Sequence, residues 1–293
     1  MKKLIEKANI LIEALPYIKE FCGKTFVIKY GGAAQVEDKL KDAFAQDVVL
    51  LKYIGINPVI VHGGGPRISQ TMKQMGKKPE FIEGQRVTDR ETIDIVEMVL
   101  GGLVNKEIVT LINSNGGRAV GLSGKDGGLV KAKKKVIKKQ SPETGVNEII
   151  DIGLVGEVES IDSSVLATLG GSGFIPVIAP VGVDIQGTTF NINADFIAGA
   201  IASAVDAEKL LLLTDVEGIS NKKGEILPTL RKSEVNKLKK NGTISGGMLP
   251  KVEACVNALK GGVKKIHIID GRIEHCLLLE IFTEKGIGTE IVR

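Results

Sequence analysis

Along this chain, short apolar runs alternate with longer stretches in which apolar positions recur every three or four residues. "TFVIKY" (25–30), "NPVIVHGG" (57–64), "RAVGLSG" (118–124), "FIPVIAPVG" (174–182), "KLLLLTDV" (209–216) and "KKIHIID" (264–270) are nearly unbroken apolar runs. Such runs suit strands buried on both faces of a parallel sheet. Helical periodicity between them predicts helices over 36–54, 66–76, 89–113, 162–169, 194–205, 233–240 and 248–260. The alternation predicts an α/β fold, doubly wound, with helices on both sides of a mostly parallel sheet. Binding residues are then expected in the loops that follow the strand C-termini.

Two segments depart from this pattern. Residues 127–158 alternate polar and apolar side chains around Ser141-Pro142, which predicts antiparallel hairpins. Residues 1–20 read as an amphipathic helix ahead of any strand, with Pro16 near its end. Such a helix serves either as an oligomerisation arm or as a cap on the core. No linker-like segment or internal repeat interrupts the chain. A soft boundary lies near residue 180, where "PVGVDIQGTTFNIN" opens a second strand–helix series.

Composition narrows the function classes. The length of 293 residues suits one large α/β domain or two joined lobes. Aromatic residues make up 4% and Trp is absent, which argues against a base-stacking surface for nucleic acid. The formal charge of +4 reads as a Lys-rich solvated surface. The six lysines from Lys131 to Lys139 sit on alternating positions and read as a solvated hairpin face rather than a nucleic-acid patch. Cys22, Cys255 and Cys276 lack metal or redox spacing, as in a reduced thiol inventory. The charged N-terminus is unlike a signal peptide, and "FIAGAIASAV" is too short to span a bilayer, so a soluble cytoplasmic protein is expected.

The usual nucleotide signatures are missing: the sequence has no G-x-x-x-x-G-K-[ST], no intact G-x-G-x-x-G and no kinase H-R-D or D-F-G. What it offers instead is glycine turns beside isolated charges. "KYGG" ends the first strand on Lys29 next to Gly31 and Gly32, backbone that a ligand can approach closely. "VHGGGP" places Gly63, Gly64 and Gly65 before a helix opened by Pro66, an anion site by geometry and dipole. His62 reads as a general base or, with more weight, as a hydrogen-bonded structural histidine. "NINADF" sets Asn191, Asn193 and Asp195 two apart before an apolar helix; one of them suffices as a cap, so three suggest convergence on a ligand. "SGGMLPK" puts a glycine pair ahead of Lys251.

Lysines and backbone N–H groups without an evident base fit phosphoryl transfer to a carboxylate. A carboxylate is already an anionic nucleophile, so catalysis reduces to positioning and charge neutralisation. An aspartate between two lysines would hold them in place. A hydroxyl acceptor would need a base.

"IKYGG", "VHGGGPRIS", "EGQRVTD", "GLSGKDGGL", "GFIPVIAPVGVD", "NINAD", "LLLLTDVEGI" and "GGMLPKVEAC" occur in this order over nearly the whole chain. By these motifs the chain resembles the amino acid kinase family, and within it the members that act on N-acetyl-L-glutamate. The resemblance implies a three-layer αβα sandwich with a central mostly parallel sheet and an N-terminal helix extension. It also implies an amino-acid lobe over 1–180 and a nucleotide lobe over 181–293 that share one continuous sheet. The implied activity is ATP-dependent phosphorylation of the γ-carboxylate of N-acetyl-L-glutamate in arginine biosynthesis, with Mg2+ carried on phosphate oxygens and water.

Carried over by position, Lys29 and Lys251 stabilise the transferring phosphoryl group and Asp195 orients them. Gly64, Gly65, Arg86, Asn191 and Asn193 bind the acid, with Arg86 as a bidentate clamp on its α-carboxylate, and Gly32 and Gly64 offer backbone N–H groups to phosphate oxygens. Gly31, Gly32, Thr214, Asp215, Gly247 and Met248 bind ATP. The leading helix and "KIHIIDGRIEHCLLLEIFTEKGIGTEI" resemble the arginine-inhibited form, a homohexamer built as a trimer of dimers. Lys209, His267, Glu280 and Gly286 would line its L-arginine site. Kinases of the same fold acting on aspartate, glutamate or acetylaminoadipate are the nearest alternatives; one substrate methylene is worth only ~1–3 kcal/mol. A catalytically silent amino-acid sensor is a further alternative, opposed by Lys29, Asp195 and Lys251 occurring together. A nucleic-acid-binding protein is the weakest.

Overall fold

A computed structural model of the chain describes residues 1–35, 37–140 and 147–293. The chain opens with α1 (Lys2–Phe21), β1 (Thr25–Tyr30), α2 (Asp38–Tyr53), β2 (Asn57–His62) and α3 (Gly65–Gln74). A short hairpin, β3 (Phe81–Ile82) and β4 (Gln85–Arg86), precedes α4 (Arg90–Glu97), α5 (Asn105–Ser114) and β5 (Ala119–Ser123). Next come β6 (Val130–Lys134), β7 (Ile137–Gln140), β8 (Asn147–Ile150), β9 (Gly156–Ile161) and α6 (Ser164–Gly171). They are followed by β10 (Ile175–Ala179), β11 (Val181–Val183), β12 (Thr189–Asn191), α7 (Ala194–Ala204) and β13 (Lys209–Thr214). The chain ends with β14 (Thr229–Arg231), α8 (Lys232–Lys240), α9 (Met248–Lys260), β15 (Lys265–Asp270), α10 (Cys276–Ile281) and β16 (Thr289–Val292).

Eight strands form the central sheet in the order β14-β16-β15-β13-β1-β2-β10-β5. The six from β15 to β5 run parallel, and β16 and β14 run the other way. Period-two alternation divides each strand between two cores. Phe26, Ile28, Leu211, Leu213 and Ile269 face one core, with Val48 of α2, Ile108 of α5 and Leu277 of α10. Val27, Leu210, Leu212, Ile266 and Ile268 face the other, with Ile197 of α7, Val235 of α8 and Val252 of α9. Two helical layers around one sheet are therefore the three-layer sandwich that the unbroken apolar runs require. Among the described residues no helix is long and apolar enough to cross a membrane.

The structure differs from the pattern reading in two places. "FIPVIAPVG" is not one strand, because Pro180, which has no N–H to give a ladder, separates β10 from β11. β11 leaves the main sheet and joins β12, β6 and β9 in a second sheet. The helix expected over 89–113 is interrupted by a π-helical turn, Met98–Val104, that carries Gly101 and Gly102. Beyond this turn Asn105, Ile108 and Ile112 share the buried side of α5.

In the 127–158 region β6 pairs antiparallel with β9 and β7 with β8, as the alternation predicts. The Ser141-Pro142 turn lies outside the described residues. Lys133 and Lys134 are solvated and pair with Glu157 at 3.2 Å and Asp151 at 2.7 Å, which offsets part of the positive charge of this hairpin face.

One buried ionic contact escaped the sequence reading. Asp47 of α2 is fully buried, and one oxygen lies 2.6 Å from Nδ1 of His275, ahead of α10. Burial pushes the Asp47 carboxyl up to about 6, against the opposing pull of His275. The folded protein thus holds this proton more tightly than the unfolded chain, so the group favours folding at low pH and that contribution is lost as pH rises through about 6. Relative to Asp47→Asn, the parent protein should lose about 3 kcal/mol of stability between about pH 4 and 7, read by urea unfolding. A pH-independent difference between the two proteins would contradict this.

Candidate active site

Alternation along β1 also decides where Lys29 points. Phe26, Ile28 and Tyr30 enter the α2 core, so Val27 and Lys29 face α7 and α9. Lys29 is 7% exposed, and its Nζ stops 3.1 Å from Oδ1 of Asp195, the second residue of α7. Lys251, in the first turn of α9, brings its Nζ to 3.4 Å from the other oxygen, Oδ2. One carboxylate from one helix thus holds two ammonium groups that are 222 positions apart in the chain (251 − 29). Burial would raise the Asp195 carboxyl, but the two lysines outweigh it and hold it below the usual carboxylate range. Burial draws Lys29 below the usual lysine range although Asp195 pulls the other way.

The two glycine turns close around this ion cluster. Gly63 N–H donates to Tyr30 O at 2.8 Å, which docks the turn after β2 onto the end of β1. A Cβ on Gly31 would lie 3.3 Å from Lys29 Nζ, so glycine leaves the ammonium uncovered. Gly32 has φ +66°, a conformation that glycine adopts without penalty. The Tyr30 hydroxyl donates to Ala34 O at 2.9 Å and its ring stacks on Phe44 with 3.7 Å between centroids, which braces the turn from below.

A cavity of about 210 Å³ opens beside these turns, lined by Gly64, Gly65, Arg86, Asn191 and Asn193 among others. Arg86 is buried, donating from Nη2 to Gly65 O at 3.0 Å and to Ser69 Oγ at 2.8 Å, with its guanidinium over the Phe81 ring. The three polar residues of "NINAD" divide their tasks. Asn193 caps α7 by accepting from Asp195 N–H at 2.8 Å, Asp195 takes the lysines, and Asn191 lines the cavity while its Nδ2 donates to Thr88 Oγ1 at 3.4 Å.

A second hollow of about 380 Å³ lies past the C-termini of β13 and β15. Asp215 and Met248 line it, together with Glu217, Thr243, Ser245 and Arg272, which the sequence reading missed. The signal for Arg272 was present, because "DGR" follows directly on a strand end. Its guanidinium is held by Asp270, Nη2 to Oδ2 at 2.7 Å. Thr214 is buried, with its hydroxyl on Asp215 Oδ1 at 3.1 Å, and Gly247 sits at the N-cap of α9. Neither Thr214 nor Gly247 is part of the lining of this hollow.

Lys209, His267, Glu280 and Gly286 come together on the opposite face of the sheet. His267 Nδ1 lies 2.5 Å from Glu280 Oε1, and Glu280 Oε2 accepts from Ile287 N–H at 2.9 Å. Gly286 has φ +60°, and a Cβ there would come within 2.6 Å of Glu280 Oε2. The Lys209 ammonium lies 5.0 Å above the Phe21 ring at the end of α1. His267 Nε2 is buried, and no partner takes it up among the described residues.

The model of the "Amino acid kinase family" matches residues 24–270. An acetylglutamate kinase of Geotalea uraniireducens (strain Rf4) is 59% identical over 292 residues, covering 100% of both chains. The N-acetylglutamate synthase of Neisseria gonorrhoeae, solved with coenzyme A and N-acetyl-glutamate, superposes with a TM-score of 0.84 at 27% identity, over 98% of this chain and 63% of that one. The same synthase solved with coenzyme A and L-arginine gives 0.80 at 26% identity, over 97% and 65%. A family match that begins just before β1 and ends with β15 takes in both lysines, the aspartate between them and both glycine turns. On that match, and on identity at more than half the positions of a full-length relative, the chain belongs to the amino acid kinase family.

Proposed function

We propose that the protein transfers the γ-phosphoryl group of ATP to the γ-carboxylate of N-acetyl-L-glutamate. The observation that carries this reading is the single carboxylate of Asp195 holding Lys29 and Lys251 at 3.1 and 3.4 Å beside a cavity that contains Arg86. A carboxylate oxygen of the acid forms the new P–O bond as the bond to ADP breaks, and no proton has to be removed. The two ammonium groups neutralise charge that spreads over the equatorial oxygens during transfer. Names of full-length relatives support the acid's identity.

On this reading Arg86 takes the acid's α-carboxylate through its fork, and Asn191, Gly64 and Gly65 close around the rest. The nucleotide lies in the hollow of Asp215, Met248 and Arg272, with its phosphates reaching Gly31, Gly32 and the N-terminus of α9. A site whose donors are lysines and N–H groups repels a cation, so Mg2+ arrives on the phosphates and is held by their oxygens and water. Residues 1–180 then supply most of the acid's surroundings and 181–293 the nucleotide's, with Asn191 and Asn193 reaching back across the boundary.

The same reading extends to control by L-arginine. Lys209, His267, Glu280 and Gly286 form a charged cluster against the end of α1, with a buried ring nitrogen that has no partner among the described residues. A solved relative at 26% identity, the synthase described above, is complexed with L-arginine. Leu4, Ile5, Ile10, Leu11 and Ile12 leave the first turns of α1 more than half exposed, a stripe suited to a second copy of the chain in a hexamer.

Trapping the acyl phosphate with hydroxylamine should give hydroxamate from N-acetyl-L-glutamate well ahead of glutamate, aspartate and acetylaminoadipate; preference for any of these would replace the proposed substrate. Lys29→Ala and Lys251→Ala should each lower kcat about 10²–10³-fold and raise KM for the acid far less. Comparable changes in both parameters would place the lysines in ground-state binding. Glu280→Gln should weaken inhibition by L-arginine without lowering kcat, and removal of residues 1–20 should reduce the particle size in light scattering. Inhibition unchanged in Glu280→Gln would move the effector elsewhere.

A further inference from the structure

His62 is fully buried at the end of β2 and does not line the acid cavity, so it does not meet a substrate proton. Its ring instead bridges two fixed points. Nδ1 lies 2.9 Å from Gly63 O, and Nε2 lies 3.2 Å from Nδ2 of Asn105. Asn105 is also fully buried, at the start of α5 just past the π-helical turn. Its amide group faces Val177 O at 2.8 Å and Leu122 O at 3.3 Å, while Lys106 Nζ donates to its Oδ1 at 3.2 Å. Two carbonyl acceptors on one side and an ammonium donor on the other leave the Asn105 amide one orientation. The NH2 must face His62, and because it cannot accept from a ring N–H, Nε2 is the bare nitrogen and the proton sits on Nδ1, which donates to Gly63 O. Gly121 packs so closely on Asn105 that a Cβ there would come within 1.8 Å of Oδ1. Burial also lowers the imidazole pKa to about 4, which keeps the ring neutral at pH 7.

Gly63 is then held on both sides, by Tyr30 O at its N–H and by His62 at its C=O. In a trans peptide the N–H of the next residue points opposite to the C=O. Anchoring Gly63 O on His62 therefore directs the Gly64 N–H away from the core, and among the described residues no protein acceptor takes it up. Gly63, Gly64 and Gly65 all line the acid cavity.

We propose that His62, oriented by Asn105, is a positioning residue that aims the Gly64 N–H at the phosphoryl group in transfer. This rests on the carboxylate-kinase reading above. A donor that meets the transferring group acts mainly in the transition state, so its misalignment shows in kcat rather than KM.

The test uses the full chain and the hydroxylamine assay. His62→Leu removes the donor; His62→Asn keeps an N–H near the place of Nδ1. His62→Leu should lower kcat about 100-fold with KM for the acid changed less than about threefold, and His62→Asn should recover most of the loss. Parent-like kcat in His62→Leu, or no recovery in a folded His62→Asn, overturns the proposal. A second measurement does not depend on the variants folding. In 15N-histidine-labelled parent protein, His62 should carry its proton on Nδ1 and stay neutral down to about pH 5; an Nε2–H ring overturns the relay. If the parent forms no hydroxamate at all, the phosphoryl-transfer reading fails while the ring's tautomer still reports on the anchoring of Gly63.

Discussion

The site depends on one buried carboxylate. Asp195 is 5% exposed and has two ammonium groups on it, one on each oxygen. Desolvating three charges costs several kcal/mol per ion unless each is paired, and two lysines brought together without the aspartate would repel one another. The aspartate makes it tolerable to bury a lysine at the tip of β1. It also leaves the cluster with one positive charge in excess, which suits an incoming phosphoryl group. Asp195 is placed in turn by the cap of its own helix: Asn193 accepts from the Asp195 N–H at 2.8 Å and so fixes how α7 starts. The sheet delivers one lysine, a helix start the other, and a helix cap the group between them.

Much of this was legible in the chain. An apolar run ending in a lysine and two glycines marks a strand tip, and period-two alternation states which face the lysine occupies. Lys29 lies between Ile28 and Tyr30 of the α2 core, so it had to face the helices that follow β12 and precede β15. Pairings of sequence-distant polar residues were not legible. Asp47 and His275 are 228 positions apart, and neither sits in a run that signals a partner. The π-helical turn was hidden for another reason: residues 98–104 are all apolar or glycine, so no polar position among them marks a change of helical period. Arg272 follows a strand end, but an arginine in an exposed turn has no glycine pair beside it to set it apart from a solvated charge.

The two polar clusters share one sheet but not its faces, with Lys29 on β1 and Lys209 and His267 on β13 and β15. Lys29 is in register with Leu212 of β13, and Leu211, the next residue back, is in register with His267 of β15. Lys209 begins the strand whose end, Thr214, leads into the nucleotide hollow. A ligand that altered the Lys209–His267–Glu280 cluster would therefore act on β13 and β15, and β13 pairs directly with β1, the strand that carries Lys29. Interiors packed at crystal density transmit small displacements of this kind rather than absorbing them. α10 is tied to the rest through Asp47 and His275, so motion of this segment also bears on α2, the helix that follows the Gly31-Gly32 turn.

The chain's three histidines give the last step of the argument. Each places Nδ1 on an oxygen of the protein: His62 on Gly63 O, His267 on Glu280 and His275 on Asp47. None of them lines the cavity of Arg86 or the hollow of Arg272. An enzyme acting on a hydroxyl would need a base to take its proton, and none of these three rings is placed to serve as one. A carboxylate acceptor arrives already ionised, which releases histidine for structural work. On the proposed reaction the charge to be handled is negative and mobile, and what would meet it is two ammonium groups and backbone N–H donors whose directions are fixed before any ligand arrives.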